Sequence, residues 1–376
     1  MTNNLPLIYN KISNLCLSEN FESDFGYLCS LIDENIKAGN FWIGLYSYYN
    51  LFNKMLLFAN QDVFIPKYIY ILERTEEILQ KLCCNYEHIV ELISNNPYEK
   101  KEFIERLNKT LDSSNYGIVF EKIRRLSNRI YESLASLIPN KNQVNYLFNQ
   151  LSLYNFLKLC KVLVGSNQLD QEVVVQMVLN SISQDDRIQI TEKISDVIAF
   201  GITFSDIEFV RLMVQKLLVG FILKISEYCQ DSASKAAFVV SNYENIARYF
   251  RMVNNYELSS VIYLLAAIEN WFQDNFGYCA KCLYKISRMV SNYSVRHILV
   301  NLAISIANLE TCFYSEILGW KKEIIQIQFT KSDLEKTLSY IAFHIDPSTE
   351  LIHILNSKLF KFIDSIVFKI KISNEK

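Results

Sequence analysis

Apolar residues recur at intervals of three and four over most of the chain, the period of a helix with one buried face. The pattern predicts helices at Lys67 to Cys83, Tyr98 to Leu111, Leu217 to Tyr228, across Val239 to Leu265, and finally at Ser348 to Ile372. In the last of these Leu351, Ile352, Leu355, Leu359, Phe362, Ile363, Ile366 and Phe368 mark a docking face. Strand signals are poor. Val173-Val174-Val175 is short, lies inside a helical pattern and has no Asn-Gly or Asp-Gly turn after it. With only nine glycines and five prolines to interrupt this periodicity, the chain reads as all-α. No fixed repeat of about 20 to 50 residues is visible, so an irregular multi-helix bundle is expected in place of a solenoid.

Local signals divide the pattern. Pro66 and Pro97 suit first helical turns, where no amide donor is needed. Ser205-Asp206-Ile207-Glu208 and Ser332-Asp333-Leu334-Glu335 read as capping boxes and so as helix starts. Pro139-Asn140-Lys141-Asn142 is the best linker, and the boundary expected there separates residues 1–138, a smaller helical unit, from residues 139–376. A length of 376 residues accommodates two domains of about 100 to 200 residues.

Composition narrows the function classes. The 38 basic and 40 acidic residues nearly balance, and no basic stripe interleaved with aromatics is present, which disfavours nucleic acid and favours a protein partner. The apolar run Leu217 to Leu223 is bracketed by Lys216 and Lys224 and is far shorter than the about 20 residues of a membrane span. The N-terminus carries no secretory-signal pattern, and nine irregularly spaced cysteines suggest reduced, buried thiols. A cytoplasmic location is therefore expected, which for an exported microbial effector means the host cytosol.

Bond-making motifs are missing. There is no Gly-rich dinucleotide fingerprint, phosphate loop, His-Glu-x-x-His or Gly-x-Ser-x-Gly elbow. Cys279-Ala280-Lys281-Cys282 has knuckle spacing but no second ligand pair, and reads as core thiols; His344 and His353 are separated by Pro347. No metal and no cofactor is expected. The acidic pairs Glu76-Glu77 and Asp185-Asp186 read as solvated charge.

One segment goes further. Val239 to Leu258 runs through Ile246 and Ala247 into the corner Val253-Asn254-Asn255-Tyr256, with Val261, Ile262 and Leu265 continuing the apolar stripe. It resembles the central signature of the Ras-type guanine nucleotide exchange factors, a valine-rich helix, an isoleucine-alanine step and Leu-Asn-Asn-Phe. The match runs without gaps from Gln215 to Leu265. Farther on, Asn292-Tyr293 with Arg296 is similar to the family's Asn-Tyr-x-x-Tyr-Arg, one residue short. Cys312-Phe313-Tyr314-Ser315-Glu316-Ile317-Leu318 is similar to its Pro-aromatic-aromatic-Gly-x-x-Leu block, with Cys312 and Ser315 in place of the proline and glycine.

The resemblance implies a RasGEF-like catalytic domain in residues 139–376, preceded by a unit in the place of the Ras exchanger motif domain. It implies a Ras-like small GTPase as partner, whose GDP is released when its switch regions are displaced without covalent chemistry. Asn254, Asn255, Tyr293 and Phe313 inherit the GTPase-binding positions; Trp320 and Glu323 occupy the region of the catalytic hairpin, whose leucine and acidic residue have no direct counterparts. A non-catalytic helical adaptor is the alternative. Asn254 and Asn255 equally suit a helix cap, Tyr293 and Phe313 a core, and Trp320 either packing or partner contact.

Overall fold

The computed structural model describes residues 5–39, 41–58, 64–78, 141–182, 185–227, 233–309, 329–342 and 351–370, with single positions between 128 and 135. Among them there are helices and turns but no strand, as the 3.6-residue periodicity requires. The chain forms two compact units, Met1–Leu169 and Asp170–Lys376. Pro139 and Asn140 lie outside the described residues, but Lys141 and Asn142, expected in a linker, begin a helix, Lys141–Gln150, that belongs to the first unit.

The first unit contains α1 (Leu5–Asn14), α2 (Phe21–Lys37), α3 (Phe41–Leu56), α4 (65–78), α5 (Lys141–Gln150) and α6 (Leu153–Gly165). Its core is aromatic. Phe21 packs edge-on against Phe64 at 5.1 Å between ring centroids and Phe52 against Tyr68 at 5.2 Å, geometry that suits the ring quadrupoles. Asp33 accepts from the Tyr48 hydroxyl at 2.7 Å and the Tyr70 hydroxyl at 3.2 Å, so the phenols entering this core keep partners.

Glu76 corrects the solvated reading of the Glu76-Glu77 pair. Its side chain is 5% exposed and meets Lys158 of α6, 8% exposed, at 2.6 Å. Glu77 does face outward, bridged to Arg74 at 2.7 Å. Two adjacent helical positions point about 100° apart, so one of the pair entered the core while the other stayed at the surface.

The second unit contains α7 (Gln171–Ile182), α8 (Arg187–Thr203), α9 (Glu208–Glu227), α10 (Ala233–Met252), α11 (Tyr256–Phe272), α12 (Phe276–Ser287), α13 (Tyr293–Ala307), α14 (Lys331–Ala342) and α15 (Leu351–Ile370). Helices α10 to α13 pack in sequence, each most extensively against a neighbour in the chain. Every residue of α11 from Leu258 to Trp271 is buried, so this helix is an internal axis and not, as its stripe suggests, a one-sided surface helix. Its polar residues are satisfied internally: the Ser259 hydroxyl donates to the Ala247 carbonyl at 2.7 Å, Asn270 donates to the Ala266 carbonyl at 2.9 Å, and Glu269 pairs with Lys358 of α15.

Helix starts differ from expectation in register. Helix α9 begins at Glu208, with Ser205 in the preceding turn, so the first expected box does not cap it. Before α14 the working box is Thr330 with Asp333: the Asp333 amide donates to the Thr330 hydroxyl at 3.2 Å and the Thr330 amide to the Asp333 carboxylate at 2.9 Å, two residues ahead of the expected position. Asp186 caps α8 in a full box with Gln189, and Asp185 pairs with Lys193 at 2.5 Å. On α15 the expected face is buried at Leu351, Leu355, Leu359, Phe362, Ile363 and Ile366, but Phe368 is 86% exposed.

Cys279 and Cys282 are both buried on α12. Burial pushes both thiols well up, and the Glu244 carboxylate beside Cys282 adds to the effect there, so they stay protonated at neutral pH. Glu244 also meets Lys285 at 3.3 Å, which ties α10 to α12.

Candidate functional site: a groove at the asparagine corner

The corner between α10 and α11 is built by its two asparagines. Asn254 has φ +61°, a left-handed conformation that asparagine tolerates better than most residues. That bend lets the Asn255 amide donate to the Phe250 carbonyl at 2.8 Å and the Asn254 amide to the Arg251 carbonyl at 3.2 Å, closing α10 in a Schellman motif. Asn255 then caps α11, its Oδ1 accepting from the Leu258 amide at 3.2 Å, while Asn254 Oδ1 accepts from the Tyr256 hydroxyl at 2.9 Å. One helix ends and the next begins with no spare residue.

The same helix stop recurs one hairpin later, although the Asn275 side chain makes no capping bond there. Asp274 has φ +57°, the Asn275 amide donates to the Asn270 carbonyl at 2.9 Å, and Phe276 opens α12 as Tyr256 opens α11. At the third corner Asn292 caps α13 through the Val295 amide at 3.2 Å, and Tyr293 is the first helical residue. An asparagine followed by an aromatic thus starts three consecutive helices, and the capping reading of Asn255 holds in this unit.

Capping does not withdraw the corner from the surface. Asn254 and Asn255 line a groove of about 670 Å³ within the second unit, with α9 contributing Arg211, Leu212 and Gln215, α10 Tyr249, Phe250 and Val253, and α14 Tyr340 and Ile341. Leu212 is 49% and Tyr256 45% exposed, so the rim is partly apolar. Deeper in, Tyr249 is 2% exposed; burial pushes its phenol up to about 12 against the opposing charge of Arg211, which leaves it a neutral hydrogen-bonding group at physiological pH. Gly201 of α8 makes room for it, since a Cβ there would stand 2.5 Å from the Tyr249 hydroxyl oxygen. Glu208 and Glu257 add acid to the groove lining, which also holds Arg211.

Of the residues that the resemblance marks, the structure brings Asn254 and Asn255 together on this groove. Tyr293 is 74% exposed on the first turn of α13, its ring 5.1 Å from the His297 imidazole; it does not line the groove, although Ser291, two positions earlier, does. Phe313, Trp320 and Glu323 lie outside the described residues. Arg211, Leu212, Tyr249 and Tyr340 were not singled out from sequence. Leu212 and Tyr249 follow the helical period like any core position, and only the approach of α9, α10 and α14 makes them neighbours.

Among the described residues no group of three histidine, cysteine or acidic side chains converges as a metal site, and no helix is long and apolar enough to cross a membrane.

The double role of the corner yields a prediction. Asn255→Ala is expected to destabilise the second unit by about 1 kcal/mol through the lost cap, whereas Asn255→Asp, which retains the accepting oxygen, is expected to stay within about 0.5 kcal/mol of the wild type. Urea unfolding of the two variants measures both values, and equal losses would remove the capping role. No protein-family model matches the chain, and comparison with curated proteins and with solved structures returned no match.

Proposed function

We propose that the second unit binds a Ras-like small GTPase at the asparagine-corner groove and promotes release of its GDP. The observation that carries the reading is local: the Asn-Asn-aromatic corner, the centre of the resemblance to the exchange factors, opens onto a partly apolar groove of about 670 Å³ with exposed side chains at its rim. Mixed apolar and charged lining of this kind suits a protein surface.

The mechanism in this reading is negative linkage. A protein that binds the nucleotide-free GTPase more tightly than the loaded one lowers nucleotide affinity by the same factor, and no bond in either protein has to form or break. The groove residues supply the binding energy, with Tyr249 and the corner asparagines held in place by the core. Trp320 and Glu323 would act in the segment nearest the nucleotide.

Release of a fluorescent GDP analogue from a panel of small GTPases tests the proposal. Acceleration is expected with at least one of them, and Leu212→Asp, which places a charge on the groove wall, is expected to reduce it at least about tenfold. Absence of both acceleration and binding across the panel would end the reading. The adaptor alternative is favoured by the engagement of Asn254 and Asn255 in local bonds to Tyr256 and Leu258; complex formation with an unchanged release rate would select it.

A further inference from the structure

Beside the groove lies a smaller hollow of about 370 Å³, lined by Arg251, Tyr256, Arg288 and Met289. Arg251 sits in the last turn of α10 and Arg288 is the residue that ends α12, so the stacking of α10, α11 and α12 delivers two guanidinium groups to one concavity. Both arginines are exposed. Among the described residues neither takes part in an ion pair, a side-chain hydrogen bond or a ring contact, and no carboxylate lines the hollow. Four lysines of this unit do have acidic partners, Lys193 with Asp185, Lys285 with Glu244, Lys358 with Glu269 and Lys369 with Asp274. The C-terminal dipoles of α10 and α12 offset only a fraction of the two charges, about half a charge each.

Tyr256 and Met289 also line the larger groove, so the two concavities adjoin. A chain lying in the groove would therefore present a side chain to the hollow. We propose that Arg251 and Arg288 together take an Asp or Glu carboxylate of a protein partner whose chain occupies the groove, an inference that rests on the reading of that groove as a protein-binding site. The planar guanidinium fork donates paired hydrogen bonds to a carboxylate and stays charged at every physiological pH. A polypeptide fits better than a lipid surface, because a chain can place a carboxylate at the hollow and keep neutral or basic side chains against Glu208 and Glu257, whereas an anionic bilayer meets them with charge throughout.

The test uses the full chain and the probe hexaglutamate at low ionic strength, where exposed charges are least screened. Fluorescence anisotropy is expected to show saturable binding that weakens at least about tenfold in the double variant Arg251→Glu/Arg288→Glu and partly survives in Arg251→Lys/Arg288→Lys, with unchanged thermal melts. Hexaglutamate binding that is absent, or equal in wild type and the charge-reversed variant, overturns the proposal. So do phosphatidylserine vesicles that require the pair while hexaglutamate does not. Pair-dependent peptide binding without any GTPase complex would keep the carboxylate site and remove the GTPase reading. A GTPase complex indifferent to the charge reversal would do the opposite.

Discussion

Glu76→Ala is expected to destabilise the first unit by about 3–5 kcal/mol, because it removes the carboxylate that pairs with a buried ammonium group. Lys158 Nζ lies 2.6 Å from Glu76 Oε1, with side-chain exposures of 8% and 5%, and 4.6 Å from the centroid of the Tyr131 ring. The ring face offers some attraction to the cation but cannot replace a full negative charge. Lys158→Ala is expected to cost a similar amount by removing the cation that pairs with the buried carboxylate. The double variant Glu76→Leu/Lys158→Met, which removes both charges and keeps the volume, is expected to recover most of the loss, since each ion's desolvation cost disappears with it. Urea denaturation of the three variants gives the comparison. Single variants that cost less than about 1 kcal/mol would show that the pair behaves as a surface bridge.

Trp271→Ala is expected to cost about 3–5 kcal/mol in the second unit, the range for truncating a large buried aromatic. Trp271 is 2% exposed near the end of the buried axis α11, edge-on to Phe276 at 5.1 Å and to Phe362 of α15 at 5.9 Å. Its indole N–H donates to the Ser365 hydroxyl at 2.9 Å. It thereby fastens α15 and the start of α12 to the axis, together with Lys369, whose ammonium lies 4.2 Å from the Phe276 ring centroid. Trp271→Phe retains much of the ring packing and loses the hydrogen bond, so a smaller cost of about 1–2 kcal/mol is expected. Loss of the same stability in both variants would assign the role to the hydrogen bond and not to the packed area.

Helices were legible where an apolar period ran on among the described residues, as in α10 and α15, while the expected helix Tyr98 to Leu111 lies outside them. Their first residues were less so. Ser332 and Glu335 have the right spacing for a box before α14, yet Thr330 and Asp333 do the capping, because several residues within one turn carry suitable oxygens and packing of the helix selects among them. Phe368 shows the reverse failure: it continues the apolar lettering of α15 beyond the last residue that meets a neighbour, and ends exposed.

The candidate site was legible in part. The asparagine corner stood out by its motif, and the local physics of Asn254 and Asn255 explains that motif through a left-handed helix stop followed directly by a cap. The groove that the corner lines was not legible, since its other walls come from Arg211 and Tyr340, which stand more than a hundred positions apart. Likewise nothing in the separate contexts of Arg251 and Arg288 announces a shared hollow.

By itself, the amino-acid order determined that the described residues of this protein build helices, where several of them run, and which face of α15 is apolar. These properties depend on residues three or four apart, whose interaction the helix geometry guarantees. Tertiary structure alone decided that Glu76 and not Glu77 is buried, that α11 is enclosed from Leu258 to Trp271, and that two arginines share a hollow adjoining the groove of the asparagine corner. Those outcomes depend on which distant helices meet, and the free energy of such meetings comes from area and charge brought together across the fold, not from any local pattern.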